Sequence, residues 1–139
     1  MQFGNVDWVA LIAAFAASYA FSAVFYITLA KPWMAAIGKT EAEVKQGAGP
    51  VPYIVAIAGQ LIIAYVLMNL MVSLGAVSLS GGLTLGVTLW FGLVLTTMMI
   101  NHRFQNSSWA HSIIDGAHWL GVFAIQGVVI GLLSESVVV

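Results

Sequence analysis

Residues 109–133 read WAHSIIDGAHWLGVFAIQGVVIGLL, an apolar run whose ionisable members are His111, Asp115 and His118. A helix needs about 20 predominantly apolar residues to cross the roughly 30 Å hydrocarbon core of a bilayer. This stretch therefore predicts a transmembrane helix. Three similar runs occupy about residues 8–30, 52–74 and 83–100. They are continuous rather than alternating, which favours helices over the strands of a membrane barrel.

The composition agrees with a chain that lies almost entirely within lipid. Of 139 residues, 61% are hydrophobic and 6% are charged, whereas about a quarter of the residues of soluble domains are charged. A soluble fold and a disordered chain are both excluded. The net charge of −1 and the absence of cysteine argue against nucleic-acid binding and thiol chemistry. We expect one all-α domain over residues 1–139, an integral membrane bundle of four transmembrane helices.

The few basic residues predict the orientation of this bundle. Lys31, Lys39 and Lys45 lie in the loop at about 31–51, and Arg103 lies between the third and fourth spans. Both loops fall on one side of an even-numbered bundle, and the positive-inside rule makes that side cytoplasmic. Both termini, which carry Asp7 and Glu135, are then outside the cytoplasm. Within the longer loop, Thr40 to Glu43 fits a capping box, which predicts a short helix on the membrane surface.

Small residues recur at a spacing of four on three of the spans, which allows close approach of another helix. These stripes serve either the packing of the bundle itself or association with a second copy or another membrane protein. The residues assigned to helix packing are Ala14, Ser18, Ser22, Gly82, Gly86, Gly121, Gly127 and Gly131.

Ionisable residues inside a span are costly and are functional candidates by default. His111, Asp115 and His118 lie at i, i+4 and i+7 and so share one face of the fourth helix. Three interpretations stay open. In a structural one, Asp115 pairs with Arg103 or a Trp indole and the imidazoles bond to other spans. In the second, the face forms a proton or ion relay. In the third it binds a metal.

The spacing argues against the metal, because His111 and His118 lie roughly 10 Å apart along the axis; we therefore predict no metal and no cofactor. Other spans supply further polar or aromatic candidates for a relay or ligand face. These are Gln60 and Trp90, together with Asn101 and Arg103, which flank His102 just before the fourth span. We found no nucleophile motif, zinc-protease motif or phosphate loop, so we predict that the protein is not an enzyme.

Several short motifs, in order, resemble the domain-of-unknown-function 1761 family of small bacterial membrane proteins. They are Phe25-Tyr26, Trp33-Met34, Gly38-Lys39-Thr40-Glu41, Ala64-Tyr65-Val66-Leu67, Leu89-Trp90-Phe91-Gly92 and Ile114-Asp115-Gly116. The resemblance covers nearly the whole chain. It implies a four-helix protein of the bacterial inner membrane and supplies no activity.

Two functions fit these observations. The first is a non-enzymatic accessory or scaffold subunit that acts through helix–helix association, as a homo-oligomer or with a membrane-protein partner. The alternative is an oligomeric transporter or channel for protons or a small solute, which would use the polar face of the fourth span.

Overall fold

The computed structural model describes residues 6–134, in which the regular elements are all helices. Four helices are long and apolar enough to cross a membrane, at Trp8–Thr28, Pro50–Ser73, Leu79–Phe104 and Trp109–Leu133. The prediction of an all-α bundle with four transmembrane helices is confirmed. Glu135, one of the acidic residues assigned to the termini, lies outside the described residues.

The first two spans are α1 (Trp8–Thr28) and α4 (Pro50–Ser73), and two short helices lie between them. Asp7 caps α1 by accepting a hydrogen bond from the backbone N–H of Ala10 at 3.0 Å. The connecting segment contains α2 (Ala30–Ile37) and α3 (Glu41–Gln46). The predicted capping box is present on α3, because Thr40 and Glu43 bond reciprocally. The expected short helix is therefore present in this loop.

The third span is composite and longer than the sequence predicted. It consists of α5 (Leu79–Leu89), a π-helical segment (Trp90–Leu95) and α6 (Thr96–Phe104). Ser78 caps its start through the backbone N–H of Gly81. The helix continues beyond residue 100, where the sequence placed the end of the span, and the polar residues His102 and Arg103 that follow bond to the next helix. The fourth span, α7 (Trp109–Leu133), has the predicted bounds.

The central helix of the bundle is α7, which packs on α1, α4 and α5. Its contact with α5 depends on glycine, since a Cβ at Gly82 would overlap the backbone carbonyl of Gly127. The same holds for Gly86 against Phe123 and for Gly131 against Ser78. Gly121 faces the ring of Phe21 on α1. The structure thus places the glycine stripes of the third and fourth spans in contacts within the chain.

The two ends of the bundle are fixed by hydrogen bonds between distant parts of the chain. At one end Ser108 donates to the carbonyl of Ala36 at 2.7 Å, which joins the two basic loops. At the other end Ser134 donates to the Asp7 carboxylate at 3.1 Å. The basic loops therefore share one end of the bundle, as the even number of spans requires. We call this the loop end, and the opposite one the terminal end.

Candidate functional site

The polar side chains of α7 separate into two groups, and the first lies near the loop end. His111 Nε2 lies 3.0 Å from Asp115 Oδ2, and each side chain is about one-sixth exposed, at 17% and 18%. The other carboxylate oxygen of Asp115 accepts a hydrogen bond from the Tyr26 hydroxyl at 3.1 Å. The sequence predicted Arg103 or a Trp indole as the structural partner of Asp115; the structure shows Tyr26 of α1 instead.

His102, at the end of the third span, joins this group from a neighbouring helix. Its ring stacks on that of His111, with centroids 4.4 Å apart and planes inclined by 14°. His102 Nδ1 lies 3.0 Å from the Ser112 hydroxyl. Arg103 donates to the same hydroxyl at 2.7 Å and to the carbonyl of Ser108 at 3.2 Å. We call His102, His111 and Asp115 the loop-end triad.

His102 is not among the site residues predicted from the sequence. The residue spacing identified the polar cluster along one helix, whereas the stacking depends on how the third and fourth spans are joined. The connecting turn places Asn106 in a left-handed conformation, with φ of 55°, which asparagine tolerates better than most residues. In the sequence, the asparagine in this short loop was the one feature that indicated a tight turn bringing the ends of the third and fourth spans together.

The second group runs through the middle of the bundle, and we call it the inner polar chain. It consists of Ser18 and Ser22 of α1, Gln60 of α4, and His118 and Gln126 of α7. Gln60 accepts from the Ser18 hydroxyl at 2.8 Å and donates to the Ser22 oxygen at 2.9 Å. Gln126 donates to the Ser18 oxygen at 2.9 Å and to the backbone carbonyl of Gln60 at 3.1 Å. Three helices are thereby connected through buried amides and hydroxyls.

The Ser22 hydroxyl lies between two possible hydrogen-bond partners. Its oxygen is 2.9 Å from the carbonyl of Ser18 and 2.8 Å from His118 Nε2. When the hydroxyl donates to Ser18, His118 Nε2 donates to Ser22, and the neutral ring keeps a lone pair on Nδ1. Within residues 6–134, this Nδ1 and Gln126 Oε1 are buried without a hydrogen-bond partner. In that tautomer the inner polar chain has two acceptor atoms to spare for water or another donor.

Tyr26 is the link between the two groups. Its hydroxyl binds Asp115, and its ring lies 4.7 Å from that of His118, centroid to centroid, inclined by 46°. The triad and the inner polar chain are therefore adjacent, although aromatic contact rather than a hydrogen bond connects them.

Towards the terminal end, the inner polar chain stops at an apolar layer. One turn beyond Ser18 and Gln126 lie Ala14 and Ile130, both fully buried. The rest of the layer comes from α1 and α4 and is also at most 2% exposed; it comprises Ala10, Leu11, Ala64, Leu67, Met68 and Met71. Asn69, buried beside the layer, donates to the carbonyl of Tyr65 in its own helix at 2.7 Å. From Gln126 to Ser134 the layer spans about 12 Å along α7.

The remaining predicted site residues lie at the edge of the site. Trp90, the first residue of the π-helical segment, donates its indole N–H to the carbonyl of Gly116 at 2.9 Å. Asn101 is exposed and borders an open groove that His102 also lines. The Arg103 guanidinium lies over the Trp109 ring, 4.0 Å from its centroid. His118 contacts Tyr26 and Ser22 and so belongs to the inner polar chain, while His111 belongs to the triad.

Comparison with known proteins supports the resemblance noted in the sequence. Searches against curated proteins and against solved structures gave no match. The family model described as "Protein of unknown function (DUF1761)" matches residues 9–131. That match takes in all four transmembrane helices except the first residue of α1 and the last two of α7. The chain therefore belongs to the DUF1761 family.

Proposed function

We propose that this protein is a non-enzymatic accessory subunit of the bacterial inner membrane that acts by associating with another membrane protein or with further copies of itself. The apolar layer carries the proposal. A conducting protein needs a polar or hydrated path from one side to the other, because uncompensated polar groups and charges are costly in hydrocarbon. Here the inner polar chain extends from the loop end only as far as Gln126, and closely packed apolar side chains follow, with the Asn69 amide bonded within its own helix.

The contacts of the third span indicate where such association would occur. Within the 18-residue stretch of this span that has the highest mean hydropathy, 6% of the residues are buried, compared with 44% in the corresponding stretch of the fourth span. Its contacts are made mainly along α7, through Gly82 and Gly86. Leu83, Phe91 and Leu93 of this span are exposed. Because the glycine stripes already serve the fold, this outer face of the third span is the one we assign to association.

Site-specific photo-crosslinking in native membranes tests this assignment. A benzoylphenylalanine at Thr88, which is exposed on the third span, should give a discrete adduct of defined mass. The same residue at Ile62, which is 62% exposed on the second span, should give mainly lipid adducts. Equal crosslinking at the two positions, or no protein adduct at Thr88, would contradict association through the third span.

A second candidate, transport of protons or a small solute, is favoured by one observation. His118 Nδ1 and Gln126 Oε1 are buried polar atoms without a partner among the described residues, as expected where water enters. In that function Asp115, Tyr26 and His118 form the entrance from the loop end, and opening of the apolar layer is required.

Proton flux in proteoliposomes separates the two functions. If the protein transports protons, Asp115→Asn should abolish a flux that the wild-type protein supports, while the fold survives. An accessory protein should show no flux above that of empty liposomes with either sequence. Wild-type flux that Asp115→Asn leaves unchanged would exclude the transport route through this carboxylate.

A further inference from the structure

We propose that the loop-end triad of His102, His111 and Asp115 binds one borderline divalent cation, of which Zn²⁺ is the best fit, and thereby clamps the third span to the fourth. One ligand atom from each of the three residues lies within 4.8 Å of the others. Two imidazole nitrogens and one carboxylate oxygen are a typical donor set for Zn²⁺, which is usually four-coordinate. Water would complete the coordination.

The required rearrangement is small. Ligand atoms around a tetrahedral Zn²⁺ lie roughly 3.4 Å apart, given metal–ligand bonds of about 2.1 Å. His111 Nε2 and Asp115 Oδ2 are already 3.0 Å apart. The His102 ring, stacked parallel to His111, has to tilt so that its nitrogen converges on the same point. Since the ligand atoms lie within 4.8 Å of one another, the separation has to shorten by at most about 1.4 Å, and rotation about the side-chain bonds can supply it.

The surrounding hydrogen bonds provide the outer support that metal ligands require. Metal-bound His normally donates its second ring N–H to a neighbouring acceptor, which orients the ring. His102 Nδ1 has such a neighbour in Ser112. Ser112 can accept from both Nδ1–H and Arg103 when its own hydrogen is donated to the carbonyl of Ser108, 3.4 Å away. His102 Nε2 is then free to bind the cation.

Asp115 is supported in the same way from the other side. Tyr26 donates to Oδ1 and leaves Oδ2, the oxygen next to His111, for the metal. Arg103 is the neighbouring cation that opposes metal binding, and it is retained over Trp109 and at the carbonyl of Ser108. His111 and Asp115 are partly exposed, and His102, which is largely buried, lines an open groove. An ion therefore has access without crossing the bundle.

This triad differs from the set considered in the sequence, in which His118 was the second imidazole. His118 is replaced by His102 because the hairpin between the third and fourth spans brings a residue of another helix beside His111. The distance argument against a metal applied to two imidazoles on one helix and does not apply to a site built from two helices.

Metal titration of the purified protein tests the proposal. The protein would carry a tag without histidine, be treated with a chelator in mild detergent and be titrated with Co²⁺ and Zn²⁺. We expect one Co²⁺ per chain, with visible absorption bands typical of low coordination number that Zn²⁺ abolishes, and a Kd for Zn²⁺ below about 10 µM. A titration that does not saturate, or a Kd for Zn²⁺ above about 10 µM, would overturn the proposal.

Substitutions of individual residues test whether the loop-end triad is the site that binds Zn²⁺. Asp115→Asn, which is nearly isosteric, and His102→Gln should each weaken Zn²⁺ binding by more than about tenfold, as loss of a ligand requires. Glu41→Gln, on the exposed α3, is the matched carboxylate control and should bind like the wild-type protein. If Glu41→Gln loses binding, or if both triad variants keep it, the ion is bound elsewhere and the triad is not the site.

Thermal unfolding provides a measurement of Zn²⁺ binding that is independent of the Co²⁺ absorption spectrum. Zn²⁺ that binds only the folded protein must raise the unfolding midpoint, and a chelator must reverse the rise. Asp115→Asn should have a midpoint that Zn²⁺ does not change. A similar Zn²⁺-induced rise in wild type and Asp115→Asn would also overturn the proposal, even if His102→Gln failed to fold.

Discussion

Gly82 of the third span and Gly127 of the fourth face each other backbone to backbone, and a Cβ on either would overlap the carbonyl oxygen of the other. This contact brings α5 against α7, the central helix of the bundle. In lipid, helices associate through close packing rather than through the hydrophobic effect. The glycine pair therefore contributes to the fold by permitting an approach that no other residue allows.

Gly82→Ala should lower the free energy of unfolding by about 1–3 kcal/mol, the usual cost of overpacking a close contact. The added methyl group meets backbone, which cannot rotate away, so the two helices must separate. Reversible unfolding in mixed micelles, followed by the loss of helical circular dichroism, gives the measurement.

Gly59→Ala is the matched control, because a Cβ at Gly59 on α4 has no atom within 4 Å. This substitution should leave stability unchanged or raise it by about 0.5–1 kcal/mol, since alanine is the better helix former. Equal destabilisation by the two substitutions would show that the close approach of Gly82 and Gly127 has no special energetic role.

The inner polar chain should also contribute to stability. Gln126→Leu removes the hydrogen bonds to Ser18 and to the carbonyl of Gln60. We expect a loss of about 1–2 kcal/mol, since transmembrane hydrogen bonds average about 0.6 kcal/mol each and the abandoned partners add a desolvation cost. A double-mutant cycle with Ser18→Ala, measured by the same unfolding assay, should show coupling of at least about 0.5 kcal/mol.

Thr88→Val serves as the control for this cycle. The Thr88 hydroxyl is exposed and donates only to the carbonyl of Thr84 in its own helix, so its removal should change stability by less than about 0.5 kcal/mol. Strict additivity of Ser18→Ala and Gln126→Leu would contradict a connected network.

The number and type of the transmembrane helices were predictable, because each must present a long apolar run to lipid. The ends of the third span were not, and the reason lies in particular side chains. Hydropathy placed its end at about residue 100, before His102 and Arg103. Both residues remain helical because they bond to Ser112 of α7. A hydropathy criterion cannot detect a polar helix end that another helix stabilises.

The candidate site was predictable along one helix and not between helices. The i, i+4 spacing of His111 and Asp115 gave their contact directly. Tyr26 is 89 positions away from Asp115 in the chain, and no periodicity relates the two. Likewise, Ser22 and Gln60 were identified as separate features of two helices, and only the packing of α1 on α4 shows that they bond to each other.

The surface helix α3 should lose its cap in acid. Thr40 donates its backbone N–H and its hydroxyl to Glu43 Oε2, each at 2.7 Å, and the backbone hydrogen bond is the main cause of the lowered pKa of Glu43. A carboxyl group whose pKa is lowered by folding stabilises the folded form above its ordinary pKa. This contribution is lost as the pH falls through the lowered value.

Carbon chemical shifts of residues 41–46, recorded by NMR in micelles across this pH range, should therefore report reduced helicity in acid. Glu43→Gln should flatten this dependence. Glu41→Gln, which removes only the exposed pair with Lys45 at 2.7 Å, should retain it. A pH profile that is the same in Glu43→Gln and in the wild-type protein would exclude the capping carboxylate as its origin.

The orientation in the membrane can be tested directly, because the chain has no cysteine and every introduced thiol reports alone. The hydrogen bond from Ser108 to Ala36 joins the two basic loops at one end. Lys39→Cys and Gln105→Cys should therefore behave alike towards a membrane-impermeant maleimide, whichever way the protein is inserted. Leu74→Cys, exposed between the second and third spans, should show the opposite behaviour.

The positive-inside rule then predicts that the loop end is on the cytoplasmic side of the membrane. In intact spheroplasts Leu74→Cys should be labelled, whereas Lys39→Cys and Gln105→Cys should react only after lysis. Labelling of both loop-end positions with protection of Leu74→Cys would reverse the orientation and place the loop-end triad outside the cytoplasm. Different labelling of Lys39→Cys and Gln105→Cys would contradict the bundle itself, because their loops would then lie on opposite sides of the membrane.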